Sequence, residues 1–175
     1  SELQDIENAD AKAHKGGIKE LFTIGKAPLI AAIGLMFFQQ LVGINSVIYY
    51  LPQVFIKGFH LSDSISIWIS VGIGTVNFLS TILATKIMDK FPRKKLLIWG
   101  ALVMGFSLGI ITIINYTVNI ETAAIFTIIL IAIYIFGFAV SWGPICWILI
   151  AEMFPLNIRG VGSSFGSAAN WIGNF

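Results

Sequence analysis

The chain has 175 residues and a net charge of +2; hydrophobic residues make up 57% of it and charged residues only 11%. Soluble domains carry about 25% charged residues, so this composition excludes an ordinary soluble protein. The small net charge and the single cysteine give no support to a nucleic-acid partner, an internal disulfide or a cysteine metal cluster, and we expect no cofactor and no metal.

Residues 1–26 are predicted to form a cytoplasmic connector. The first ten residues are acidic and polar, unlike a secretory signal peptide. Gly16-Gly17 breaks the helical spacing that precedes it, and the segment from Ile18 to Ile24 is compatible with a short interfacial helix.

Long apolar runs fill the rest of the chain. A bilayer crossing needs roughly 20 mostly apolar residues, because the hydrocarbon layer is about 30 Å thick. Lipid offers no hydrogen-bond partner to the backbone, which favours helices. The predicted spans are 27–56, 64–88, 96–120, 122–151 and 160–175. The last run is short for a span, so we expect the sequence to be a fragment whose final helix is truncated.

The basic residues predict the orientation of these spans. Ten of the eleven Lys and Arg residues lie in the N-terminal stretch and in the connections at 86–95 and 152–160, and Lys57 is the exception. Cytoplasmic loops carry an excess of Lys and Arg. The N-terminus and those two connections are therefore predicted to be cytoplasmic, and the loops at 57–63 and near residue 121 external.

Glycine and proline predict interruptions in two spans. Gly43 stands among polar side chains and Pro52 removes a backbone donor, so the first span should loosen and kink. The segment from Ser141 to Pro144 predicts a polar, kinked centre for the fourth span as well. The third span is predicted to offer a packing surface through its small residues, Gly100, Gly105 and Gly109.

The polar side chains at membrane depth are amides, and they suggest a neutral ligand. Amides both donate and accept hydrogen bonds, as sugar hydroxyls do, whereas an anionic ligand would call for Arg or Lys at that depth. Trp147 and Trp171 add aromatic faces that suit the C–H face of a pyranose. The amides are Gln39, Gln40, Asn45, Asn77 and Asn170.

A simpler interpretation stays open for each amide. Lone amides in membrane helices often only join helices, at roughly 0.6–2 kcal/mol each. Trp68 and Trp99 are predicted to be interfacial anchors rather than ligands.

One motif begins at Gln39-Gln40 and ends at Asn45, and Tyr49-Tyr50 follow it. It resembles the seventh helix of the sugar porters of the major facilitator superfamily, and further motifs in the same chain order resemble that family too. The segment from Gly143 to Trp147 resembles the tenth helix. Two further motifs match the cytoplasmic loops, Glu152 to Pro155 with Arg159-Gly160, and Asp89 to Lys94, where Pro92 replaces the usual glycine.

The resemblance implies an all-α, polytopic transmembrane bundle that forms part of a C-terminal lobe over residues 27–175. It would comprise helices seven to ten and part of eleven, with the N-terminal lobe of the same protein as a missing partner. The implied sugar contacts and pocket-lining residues are Gln39, Gln40, Asn45, Tyr49, Asn77, Gly143, Trp147, Asn170 and Trp171. The implied gating residues are Tyr49, Tyr50, Asp89, Arg93, Glu152 and Arg159, with Glu152 and Arg93 in a cytoplasmic latch.

The function implied is transport of a hexose or pentose by alternating access, in a bacterial cell membrane, without enzymatic activity. Ala139 and the segment from Ser141 to Pro144 look like bacterial proton-coupled porters, which implies protons as the coupling ion. The acid that takes the proton in those relatives lies on the missing first helix. A passive facilitator and a sugar sensor without transport remain alternatives.

Overall fold

The computed structural model describes residues 18–174, and every regular element in that range is helical. The helices are α1 (Ile18–Ile24), α2 (Lys26–Leu41), α3 (Ile44–Gln53), α4 (Asp63–Met88), α5 (Arg93–Thr117), α6 (Ile120–Ala139), α7 (Trp142–Glu152) and α8 (Arg159–Asn174), with a π-helical segment at Val54–Gly58. The part of the predicted connector that precedes Ile18 lies outside the described residues.

Four stretches are long and apolar enough to cross a membrane. They are Lys26–Gly58, Asp63–Met88, Arg93–Thr117 and Ile120–Glu152. Each overlaps one of the first four spans expected from the sequence, and α8 overlaps the fifth with only 16 residues. Many large apolar side chains on these helices face outward, as helices surrounded by lipid do.

The first membrane-long stretch is interrupted where glycine and proline predict it. Gly43 adopts the left-handed conformation with φ 81° between α2 and α3. Residues with a Cβ pay a steric penalty in that conformation, whereas glycine does not. Pro52 lies inside α3, and the π-helical segment begins two residues later.

The fourth membrane-long stretch is interrupted by a turn at Val140 and Ser141, between α6 and α7. Pro144 is the third residue of α7. The first four amide groups of a helix have no intrahelical partner, so proline at this position sacrifices no hydrogen bond. Pro144 therefore lets a new helix start after the break without the loss of a backbone hydrogen bond.

The chain divides into two compact units. The terminal unit contains the residues up to Val42 and those from Cys146 onward, and the central unit runs from Gly43 to Ile145. In the terminal unit α2 packs along α8. In the central unit α6 packs against both α5 and α4, and α3 packs against α4.

The short helix α1 is docked onto the connection between α7 and α8 within the terminal unit. Asn157 donates from Nδ2 to Glu20 Oε1 at 2.7 Å. Phe22 meets Phe165 edge to face, with the ring centroids 6.0 Å apart, and Leu21 is fully buried. These contacts fix the start of the first membrane-long stretch to the start of α8.

A close contact joins α5 and α6 in the central unit. Gly100 is buried, and a Cβ at this position would overlap the Ser141 hydroxyl. Ser141 is itself buried and donates from Oγ to Gly137 O. Nearby, Trp142 donates from its indole nitrogen to Leu97 O at 2.9 Å. The turn between α6 and α7 is thus held against α5 by one steric contact and one hydrogen bond.

Aromatic side chains lie exposed near the ends of the long helices. Trp68 and Trp99 stand near the starts of α4 and α5, and their exposed fractions are 71% and 66%. Tyr116, at the end of α5, is 88% exposed. Amphipathic rings at such positions are typical of the boundary between lipid and water.

Candidate functional site

Three of the predicted amides meet at the contact between α2 and α8. Asn170 donates from Nδ2 to Gln39 Oε1 at 2.7 Å and to Met36 O at 3.2 Å. Gln40 in turn donates from Nε2 to Asn170 Oδ1 at 2.9 Å. We call Gln39, Gln40 and Asn170 the amide cluster. It lies within the terminal unit, and its two glutamines are near the middle of the Lys26–Gly58 stretch.

The members of the amide cluster differ in their access to a ligand. Gln39 and Asn170 are 2% and 5% exposed, so they face protein. Gln40 is half-buried and is the member with the most open surface. The cluster thus joins two helices, and Gln40 is the member that keeps open surface at its edge.

Small residues on α8 let it approach α2 closely around the amide cluster. A Cβ on Gly173 would lie 3.2 Å from Gln40 Cβ and 3.1 Å from Phe37 Cδ2. A Cβ on Gly166 would lie 3.6 Å from Met36 Cγ, at ordinary contact distance. The short hydrogen bonds of the cluster depend on this close approach.

The two predicted tryptophans of the terminal unit are largely open. Trp147, on α7, is 44% exposed, and Trp171, next to Asn170 on α8, is 61% exposed. Their rings are available to pack against a ligand or against protein and lipid outside the described chain. The structure brings neither ring into a hydrogen bond with the amide cluster.

In the central unit, Asn77 lines a cavity of about 160 Å³ between α3, α4 and α6. Its walls are apolar apart from Asn77 and Ser70, whose hydroxyl donates to Ser66 O at 2.8 Å. The cavity is lined by Ile48, Leu51, Ser70, Ile73, Gly74, Asn77 and Ile135. Asn77 therefore offers its amide in a setting different from that of the amide cluster.

The other predicted contacts of the central unit lie near the starts of α3 and α7. Asn45 is the second residue of α3 and is half-buried, while Tyr49 and Tyr50 are exposed one turn later. Gly143 is the second residue of α7, where a Cβ would lie 3.2 Å from the Phe138 ring. None of these four residues lines the Asn77 cavity.

The predicted gating residues with charge all lie at helix ends. Asp89 caps the C-terminus of α4, and Arg93 is the first residue of α5. Glu152 is the exposed last residue of α7. Arg159 begins α8, and its Nε donates to Phe154 O at 3.4 Å. These positions suit contacts at the membrane surface rather than contacts with a ligand at midplane.

Within residues 18–174 no group of three His, Cys, Asp or Glu side chains could hold a metal ion. Away from their ends, the described membrane segments carry amides, hydroxyls, indoles and the single thiol of Cys146 as polar side chains. Such groups bind and orient a neutral ligand by hydrogen bonds.

The family model for sugar and other transporters matches residues 1–175. The chain belongs to the sugar transporter family. It is 43% identical to a D-xylose transporter of Levilactobacillus brevis, over 99% of this chain and 38% of that protein. It is also 35% identical to a glucose facilitated diffusion protein of Zymomonas mobilis, over 98% of this chain and 36% of that protein.

A solved structure shows the same fold for this member of the sugar transporter family. It is that of a proton:xylose symporter of the major facilitator superfamily bound to 6-bromo-6-deoxy-D-glucose, with a TM-score of 0.82 and 35% identity. The match covers 98% of this chain and 35% of that one. The predicted family and all-helical membrane fold are thus confirmed, the chain is an integral membrane protein, and it spans little more than a third of the length of its relatives.

Sequence reasoning missed several residues around the candidate site of this member of the sugar transporter family. Asn170 also donates to the backbone carbonyl of Met36. A pattern of side chains in the sequence cannot predict which backbone carbonyl accepts a hydrogen bond. The cavity residues Ser70, Ile73 and Gly74 recur at helical spacing with Asn77, and that spacing would have found them. The hydrogen bond from Trp142 to Leu97 joins residues 45 positions apart, so it depends on tertiary structure that the local motif does not contain.

Proposed function

We propose that the protein carries a neutral sugar, a hexose or a pentose, across the membrane by alternating access and couples this transport to protons. The observation that carries the proposal is the amide cluster of Gln39, Gln40 and Asn170, which lies between two apolar helices. The only charged residues of α2 and α8 are Lys26 and Arg159, each at its helix start. A ligand in contact with Gln40 would therefore meet amides and no charge from these two helices.

The family resemblance extends the proposed site beyond the amide cluster. We assign sugar binding to Gln39, Gln40, Asn45, Tyr49, Asn77, Gly143, Trp147, Asn170 and Trp171, and gating to Tyr49, Tyr50, Asp89, Arg93, Glu152 and Arg159. Residues 1–26 would connect the lobe formed by 27–175 to an N-terminal lobe of the same protein. The membrane would be the plasma membrane of a bacterium.

Coupling to protons is supported by the likeness to a proton:xylose symporter and by the resemblance of the Ser141 to Pro144 segment to proton-coupled porters. A passive facilitator is the second candidate, because a glucose facilitated diffusion protein is also a close relative. The two mechanisms differ in whether a proton gradient can drive sugar against its own gradient.

The test is uptake of radiolabelled xylose and glucose by the full-length protein in proteoliposomes, with and without an inward proton gradient. We expect accumulation above the external concentration that a protonophore abolishes. Uptake that stops when the internal and external sugar concentrations are equal, and that the protonophore does not change, would identify a passive facilitator. Sugar binding without any uptake would identify a sensor.

Replacing Gln40 by alanine tests the proposed site directly. An unpaired sugar hydroxyl costs roughly 1–3 kcal/mol, so the Kd should rise about 5- to 150-fold. The melting temperature should also fall somewhat, because Asn170 Oδ1 loses its donor. A lower melting temperature at unchanged affinity would reduce Gln40 to a helix contact. Asn115→Ala is the matched control, because Asn115 bonds to Thr127 Oγ1 at 3.4 Å between α5 and α6, outside the proposed site.

A further inference from the structure

The connection between α4 and α5 concentrates positive charge at one edge of the membrane-long helices. Between residues 86 and 95 the sequence has five basic residues and a single acid, Asp89. Four of the basic side chains are exposed lysines, Lys86, Lys90, Lys94 and Lys95. The preference of basic residues for cytoplasmic loops explains their side of the membrane, but it does not require them in the first turn of a helix.

Lys94 and Lys95 lie where a helix is best matched by negative charge. Aligned peptide dipoles give the amino end of a helix a partial positive charge, and acids in the first turn offset it. The first turn of α5 contains no acid, and the side chain of its N-cap, Pro92, accepts no hydrogen bond. The two lysines therefore add to the positive potential of this helix end, and both would attract an anion from outside the helix.

An open groove lies on the outward surface of the same helix. Its volume is about 250 Å³, and it is lined by Ala101, Leu102, Gly105 and Phe106, which are all exposed. A Cβ on Gly105 would meet no heavy atom within 4 Å. The lining side chains are all apolar, so the groove suits a hydrocarbon chain.

The lysines and the groove lie on the same side of α5. Successive residues are rotated by about 100°, so Lys94 and Gly105 point within about 20° of one another. Gly100, which packs against Ser141, points roughly 140° away from Gly105. Gly105 follows Lys94 by 11 residues, a rise of about 16 Å along the helix. That rise is close to the hydrocarbon thickness of one leaflet, which is half of about 30 Å.

We propose that α5 binds one anionic phospholipid, with its phosphate at Lys94 and Lys95 and one acyl chain in the groove at Gly105. Charge complementarity and the apolar groove together select this occupant. A free phosphate would contact the lysines without the groove, and a zwitterionic lipid would fill the groove without a net charge for the lysines to attract. The inference depends on the protein lying in a membrane, and it is independent of the solute that the protein carries.

The experiment places a fluorophore on Trp99→Cys in the full-length protein without its native cysteines. Trp99 is 66% exposed and precedes Leu102 by one turn, but it does not line the groove. The protein, in a neutral detergent, is titrated with phosphatidylglycerol or phosphatidylcholine that carries a nitroxide on one acyl chain. Quenching of the fluorophore gives the apparent Kd of each lipid at α5. Each lysine near the membrane surface contributes about fivefold, so phosphatidylglycerol should bind about five- to thirtyfold more tightly than phosphatidylcholine.

Two substitutions separate the headgroup from the acyl chain. Lys94→Gln/Lys95→Gln should remove most of the preference for phosphatidylglycerol. Gly105→Leu should weaken the binding of both lipids severalfold at an unchanged ratio, because leucine occupies the space of the chain. If Gly105→Leu does not fold, Phe106→Ala shortens an exposed wall of the groove and should have the same effect.

Two controls distinguish a site from a general effect of charge. Lys19→Gln/Lys26→Gln removes two other exposed lysines from the same predicted side of the membrane, so the net charge changes equally. This variant should keep the preference for phosphatidylglycerol. A fluorophore on Trp68→Cys, near the start of α4, should report no preference between the two lipids.

Four results would overturn the proposal. Equal Kd values for the two lipids at position 99 would mean that α5 does not select an anionic lipid. Equal losses in the two double-lysine variants would mean that the lysines act only through net charge. Displacement of phosphatidylglycerol by inorganic phosphate at equal concentration would identify a site for a free anion. Lipid binding that neither Gly105→Leu nor Phe106→Ala changes would remove the acyl chain from the groove.

Discussion

Replacing Gly100 by alanine should destabilise the contact between α5 and α6. A Cβ at Gly100 would lie 2.6 Å from Ser141 Cβ and 3.1 Å from Gly137 O, and it would overlap the Ser141 hydroxyl. Ser141 is buried, and its Oγ is committed to Gly137 O. The two helices must therefore separate, or the serine must leave its rotamer and lose its bond.

The size of the effect follows from three terms. Overpacking a close contact costs about 1–3 kcal/mol, and a lost hydrogen bond costs about 1 kcal/mol. Alanine regains roughly 0.8–1 kcal/mol because it is a better helix former than glycine. The expected net loss in the free energy of unfolding is about 1–3 kcal/mol.

The assay is thermal unfolding of the full-length protein in detergent, with melting temperatures used to rank variants at one scan rate. Gly109→Ala on the same helix is the control, because no heavy atom lies within 4 Å of its added Cβ, and it should melt at or slightly above the wild-type temperature. Adding Ser141→Gly to Gly100→Ala should recover most of the loss. Equal melting temperatures for Gly100→Ala and Gly109→Ala would refute the steric reasoning.

Three further predictions concern topology, the approach of α8 to α2, and gating. With single cysteines in a background without the native one, an impermeant thiol reagent on intact cells should label position Phe59 and not Lys94; labelling at both would contradict the predicted orientation. Gly173→Ala should weaken sugar binding severalfold, because its Cβ would lie 3.2 Å from Gln40 Cβ, and lower stability at unchanged affinity would contradict this. Glu152→Gln should slow or abolish transport, while calorimetry still detects sugar binding. Accessibility from the cytoplasmic side should rise, because removing the proposed latch shifts the population toward the inward-open form. Unchanged transport would instead mean that Glu152 is an ordinary surface residue.

The interruptions of the helices could be predicted because they depend on local backbone rules. Gly43 has a left-handed φ, and Pro52 precedes a π-helical segment. For the amide cluster, the sequence could predict that amide side chains lie at membrane depth, but not which of them bond to one another. Its hydrogen bonds join residues 130 positions apart, such as Gln40 and Asn170, and they depend on the register between α2 and α8. No pattern within either helix encodes that register.

The small residues of the third span differ in what they contact within this chain. Gly100 lies at a helix contact, whereas a Cβ on Gly105 or Gly109 would meet nothing within 4 Å. Successive residues of a helix are rotated by about 100°, so Gly105 and Gly109 point roughly 140° and 180° away from Gly100. Within this chain, therefore, only Gly100 contributes to the contact with α6, and packing on the other two faces stays a prediction.

The exposed aromatic residues at the two ends of α5 have a consequence for the surrounding lipid. Trp99 and Tyr116 are both largely exposed, and a helix rising 1.5 Å per residue separates them by about 26 Å. That distance is slightly less than the roughly 30 Å hydrocarbon thickness of a typical bilayer. Thick membranes would draw one ring below the headgroups or thin locally around α5, and each ångström of mismatch costs a fraction of a kcal/mol. Acyl-chain length thus becomes a variable that acts on α5 and, through the Trp142 bond to Leu97, on the turn between α6 and α7.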